Sequence, residues 1–120
     1  MTSHDPISLP EAVVRVVRLI AERANLPPDG IQALRMQLGT AAVLTCKPTM
    51  IDLLAPTLAP RVAVPDGPLP VRAVVVNDSE QSVGEILVWF KDGLLTGIEQ
   101  AWYTDHPPMN WPHPDAVRLR

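Results

Sequence analysis

Residues Val83–Tyr103 read VGEILVWFKDGLLTGIEQAWY, the longest run of strand-forming residues in the chain, broken in the middle by Lys91-Asp92-Gly93. Apolar runs flanking an Asp-Gly step predict a β-hairpin, because both turn residues tolerate the left-handed backbone of a tight turn. The stretch holds the only Phe and Tyr and two of the three Trp residues. Two registers are open. Asp92-Gly93 alone forms a two-residue turn, which sets Glu99 opposite Ile86. Alternatively, Lys91-Asp92-Gly93 forms a three-residue loop with Gly93 left-handed in a bulge. The second gives better faces: Phe90 with Leu94, Val88 with Thr96 and Ile86 with Ile98 on one side. On the other, Trp89 faces Leu95, Leu87 faces Gly97 and Glu85 faces Glu99.

That register has two consequences. The Trp89, Leu87 and Leu95 side is apolar as well, whereas a half-solvated antiparallel sheet normally alternates cleanly. Either the Trp111 segment or a second subunit should cover it. Glu85 and Glu99 become cross-strand neighbours with Cβ atoms about 5 Å apart. Such a pair either carries one raised pKa, available for acid–base work, or is two solvated acids or a pair bridged by Arg72 or Arg61.

Outward from the hairpin, Val71–Asn77 reads as a strand and residues 78–82 as the turn between them. Residues 55–70 hold five prolines, too many for a central strand, and predict an extended surface connection. Met50–Leu54 is a short strand, and Thr40–Cys46 reads better as a strand than as a helix continuing past Gly39. Earlier, Ser8-Leu9-Pro10-Glu11 fits a capping box that opens a helix to about Asn25. A second helix from Asp29 closes at Gly39. Residues 1–7 read as a loose arm, and 104–120 as an extended Pro-rich tail carrying Trp111.

These elements predict one α+β domain over residues 1–120, with two N-terminal helices on a three- to five-stranded antiparallel sheet. Length supports this, since 120 residues suffice for one core without staples. A net charge of −3 with scattered basic residues disfavours nucleic acid. No apolar run approaches the roughly 20 residues of a membrane span, and no secretory leader is visible, so a cytoplasmic location is the default. The single cysteine, Cys46, allows neither an internal disulfide nor a thiolate zinc cluster. The abundance of Arg, Ala, Val and Pro suits a GC-rich bacterial genome.

Chemistry-bearing patterns are sparse. There is no HExxH, GxSxG, Walker or GxGxxG motif, and nothing calls for a cofactor or metal. Asp52 sits inside the apolar Met50–Leu54 segment, Glu99 inside the hairpin and His106 just after it. Together they are the candidate acid–base set. Trp102 and Tyr103 end the hairpin and could line a pocket or a partner contact.

GEILVWFKDGLLTGIEQAWYTDHPP, the following WPHPD and the upstream PTMIDL resemble a family of small bacterial proteins of unknown function. These share a Gly-x-Ile/Leu-Leu strand, an Asp-Gly hairpin, a Leu-Thr-x-Ile-Glu strand and an Asp-x-Pro-Pro run. The resemblance spans roughly residues 46–115 and brings no activity. It marks Asp52, Gly84, Asp92, Gly93, Glu99, Asp105 and Pro108. Of these, Asp52, Glu99 and Asp105 are least explained by turns or core packing.

Two functional expectations follow. One is a non-catalytic interaction module, a homodimer using Leu87, Trp89 and Leu95, with Trp102, Tyr103 and Trp111 as further contact residues. The other is a small-molecule-binding protein or a hydrolase- or isomerase-type enzyme built on Asp52, Glu99 and His106.

Overall fold

The structure is a computed structural model and describes residues 8–120. It is α+β: two helices lie on one face of a seven-stranded antiparallel sheet. Helix α1 spans Glu11–Arg23 and α2 spans Pro28–Thr40. Strands β1 (Ala42–Cys46), β2 (Met50–Leu54), β3 (Gly67–Pro68), β4 (Ala73–Val76), β5 (Ser82–Lys91), β6 (Leu94–Trp102) and β7 (Val117–Leu119) follow. The sheet order is β1-β2-β6-β5-β4-β7, with β3 beside β5. Seven strands replace the expected three to five for two reasons. A short strand forms inside the proline-rich segment, and the C-terminal residues return to the sheet through a 3₁₀ turn at Pro114–Ala116. The C-terminal segment is therefore not wholly an extended tail. The loose arm expected over residues 1–7 lies outside the described residues.

In α1, Val13, Val16, Val17, Ile20 and Ala21 recur at helical spacing and are all buried, so packing offsets the poor helix propensity of the valines. The capping box does not form: α1 begins after Pro10 with no side-chain cap. It ends where Asn25 takes φ +57°, a left-handed conformation that Asn tolerates after a helix. Helix α2 has Pro28 in its first turn, where the missing N–H has no partner to lose. It continues through Gly39 to Thr40, whose Oγ1 donates to Met36 O at 2.7 Å.

The core lies between the helices and one sheet face, where Ile86, Val88, Phe90, Leu95, Ile98, Ile51 and Leu53 meet the α1 valines and Leu34. The proline-rich segment is part of this body, since Val62 and Leu69 are buried in the core. Prolines interrupt its backbone donors, so it runs along β5 by intermittent bonds, such as Leu69 N–H to Val88 O at 2.9 Å. Trp111 also packs on the helix side. It stands near Val13, Val16, Ile86 and Ile98, with its indole N–H donating to Lys47 O at 3.0 Å. It does not cover the opposite sheet face.

Candidate functional site

Hairpin geometry decides what that opposite face displays. Asp92 and Gly93 both have positive φ, +52° and +76°, and Lys91 pairs with Leu94, so the turn is the two-residue kind. A bulge at Thr96 then adds one residue to β6, and the pairing becomes Trp89 with Gly97, Val88 with Ile98 and Leu87 with Glu99. Neither expected register survives intact. Near the turn the strands follow the two-residue form, and beyond the bulge they follow neither. Leu95 moves to the core face opposite Phe90 and is fully buried, so it leaves the proposed contact surface. Glu85 lies opposite Ala101, not opposite Glu99.

The bulge is held from outside the hairpin. Gln37 of α2 is fully buried, and its Oε1 accepts the Leu95 N–H at 2.7 Å. Its Nε2 donates to Pro60 O at 2.8 Å and to Gly93 O at 3.0 Å. Arg61 donates to Asp92 O at 2.6 Å, Asp66 Oδ1 accepts the Asp92 N–H at 2.8 Å, and Val62 N–H donates to Gly93 O at 2.9 Å. One buried amide and the 60–66 segment thus clamp the hairpin tip. Gln100 does similar work near the other end of β6. Its Nε2 donates to Pro48 O at 2.8 Å and Asn110 O at 3.1 Å. Sequence reading missed both glutamines. The available signals were positional: Gln37 follows Ala33 and Leu34 on the buried stripe, and Gln100 alternates with Ile98.

On the open face, strand pairing sets the neighbours. One row runs Asp52, Gly97, Trp89, Pro68; the next runs Met50, Glu99, Leu87; the third runs Ala101, Glu85, Val74, Arg118. Gly97 makes room for the first two rows to close up, since a Cβ there would stand 2.8 Å from Met50 Cε. Trp89 reaches diagonally, and its Nε1–H donates to Glu99 Oε1 at 3.1 Å. Leu87 and Trp89 are half-buried, while Leu54 at the β2 end is 59% exposed.

The polar residues on this face are already engaged. Thr45 Oγ1 donates to Asp52 Oδ2 at 2.5 Å, and the Tyr103 hydroxyl donates to Glu85. Arg72 approaches Glu85 from the other side at 3.4 Å. The Tyr103 phenol is pushed above its ordinary value, first by the hydrogen bond to Glu85 and then by partial desolvation, with Arg72 pulling the other way. Arg118 forks onto Glu80 at 2.5 and 3.1 Å.

Asp52 and Glu99 are diagonal neighbours on this face, but His106 does not join them. His106 lies four residues beyond the end of β6, while Asp52 pairs five residues before that end. Asp105 and His106 are exposed in the loop after β6, and His106 O accepts from Thr104 Oγ1 at 2.9 Å. Among the described residues no three His, Cys, Asp or Glu side chains are grouped to hold a metal. Trp102 and Tyr103 are half-exposed and diverge, with Trp102 beside Gly84 and Tyr103 reaching Glu85. Cys46 is exposed on β1, although the run that precedes it in sequence is largely apolar. No described helix is long and apolar enough to cross a membrane. No family model matches the chain, and no curated protein or solved structure is similar to it.

Proposed function

We propose that the protein is a non-catalytic interaction module that self-associates by laying its open sheet face against that of a second copy. One observation carries this reading: the face turned away from the helices is apolar across its centre, where Trp89, Leu87, Met50 and Ala101 are only half-buried and, among the described residues, no helix lies over them. A solvated antiparallel face would alternate to polar residues there. The extents of 45 × 43 × 21 Å describe a slab whose broad face exceeds the about 800 Å² per partner of a standard interface.

Charge placement favours a second copy as the occupant. Asp52 and Glu99 lie on the β2–β6 half of the face, while Arg72 and Arg118 lie towards β4 and β7. A two-fold axis parallel to the central strands sets Asp52 and Glu99 of one copy over the side of the other that carries Arg72 and Arg118, where Glu85 and Glu80 already pair with these arginines and the charge is balanced rather than acidic. Dilution tests the idea: amide shifts of Leu87, Trp89 and Ala101 should move with concentration while core amides stay fixed. Shifts independent of concentration across the face would reject it.

A further inference from the structure

At the end of β5 and β6 away from the hairpin tip, on the helix side of the sheet, lies a cleft of about 240 Å³. Its walls are mainly apolar, from Val83, Trp102 and Pro112, with Gly84 in the floor and the polar groups of Gln100 and Asn110 at one side. Gly84 is required by strand spacing, because a Cβ would run into the Ala101 carbonyl oxygen. Its missing side chain also leaves the floor unfilled. Trp102, 44% exposed, presents an indole at the wall.

Gln100 is the unusual member. It is 4% exposed, and among the described residues both of its side-chain bonds are made by Nε2, to two backbone carbonyls. Two carbonyl acceptors fix which end of the amide is nitrogen. Among the described residues no donor reaches its Oε1, although no fully buried side-chain oxygen is left unsatisfied. The free oxygen therefore touches open space, and the cleft is the space this residue lines. An acceptor held in place at the side of a mainly apolar hollow is matched by a donor on an incoming molecule, which would take the place of water there.

We infer that this cleft binds a small planar, mostly apolar molecule bearing one N–H or O–H, which donates to Gln100 Oε1 while its ring packs on Trp102. The volume suits a body of about ten heavy atoms, below the 300–1,000 Å³ range of drug-sized pockets. The site is on the opposite side of the sheet from the proposed contact face, so the two readings stand or fall separately.

Indole and its N-methyl derivative are the probes, followed by amide chemical-shift titration of the full chain. Indole should give saturable shifts at Val83, Gly84, Trp102 and Asn110 with a Kd on the order of 1 mM, the scale expected for so small a ligand. The N-methyl compound, with the same ring and no donor, should bind about tenfold more weakly. Val83→Phe, which narrows the cleft without touching a hydrogen bond, should abolish the shifts while hairpin amides keep their positions. Equal binding of both probes would overturn the role of Gln100. Absence of saturable shifts, or shifts centred on Leu87 and Trp89, would overturn the site. The two-probe comparison uses the unaltered chain and so holds even if the variant does not fold.

Discussion

The Trp89 indole donates to Glu99 across the two hairpin strands at 3.1 Å, two residues along β6 from its direct partner Gly97, because the bulge at Thr96 sets Gly97 and Glu99 on the Trp89 face. This diagonal bond gives Glu99 a structural role on the open face and holds the largest apolar group there in one pose. Glu99→Ala should cost about 1 kcal/mol in urea unfolding, the range of a partly exposed hydrogen bond to a charged acceptor. Glu99→Gln, which keeps an acceptor oxygen, should cost less. A loss of 3 kcal/mol or more from Glu99→Ala, on the scale of a large core truncation, would mean that the side chain does more than orient Trp89.

Gln37 should be among the most sensitive polar positions in the protein. Gln37→Leu leaves the Leu95 N–H without its partner inside the core and removes the bonds to Gly93 O and, at the core's edge, to Pro60 O. The expected loss is about 2–4 kcal/mol, with the urea slope unchanged. Gln37→Glu keeps the acceptor for Leu95 and loses both donated bonds, so it should also destabilise. Equilibrium unfolding of both variants checks this, and wild-type stability in either would remove the clamp from the account.

Gly93 is constrained twice. Its φ of +76° favours glycine, and a Cβ would lie 2.7 Å from Val62 O. In an unclamped turn of this type Asn would serve nearly as well. Here Gly93→Asn and Gly93→Ala should both destabilise by more than about 1 kcal/mol, because the collision with the 60–66 segment is independent of backbone preference. Asp92→Asn, where the left-handed residue already carries a side chain, should be close to neutral. Thermal unfolding of the three variants gives the ranking.

What was legible in the sequence was local. The alternation in Glu85–Phe90 and the Asp92-Gly93 step are short-range signals, and the hairpin, the β4 strand and both helices follow from such patterns. The bulge at Thr96 is not local, since it is held by Gln37 from a helix 58 positions away in sequence. The same holds for Val62 and Leu69, which are drawn into the core despite their prolines, and for Val117–Leu119, which needs β4 as a partner. Of the site residues, Leu87 and Trp89 keep the face assigned to them. Leu95 moved because the two-residue turn shifts the register by one between Gly93 and the bulge, and the bulge at Thr96 then returns Gly97 and Glu99 to the open face. The Asp52, Glu99 and His106 set was a guess about convergence in space, and strand geometry separates His106 from the other two.

Tyr103 offers a titration with a single reporter, since it is the only tyrosine. Its phenol is raised in the folded chain above the usual value of about 10. The contribution of the Glu85 bond should therefore be full below that pH and disappear as pH climbs through the folded value. Ultraviolet absorbance of the phenolate should show a midpoint above 10 in the native protein, and Glu85→Gln should bring it back towards the ordinary value. A native midpoint at or below that of the unfolded chain would contradict the placement of Tyr103 on Glu85.

Self-association through the open face is tested most directly by sedimentation equilibrium of the wild type beside Leu87→Lys. Leu87 is half-buried at the centre of that face and outside the core cluster, so a lysine there places a charge in the contact without disturbing the helix side. The wild type should sediment at twice the 13.1 kDa chain mass at micromolar concentration, and the variant as a folded monomer. A wild-type monomer up to millimolar concentration, or a dimer that Leu87→Lys leaves unchanged, would contradict the account.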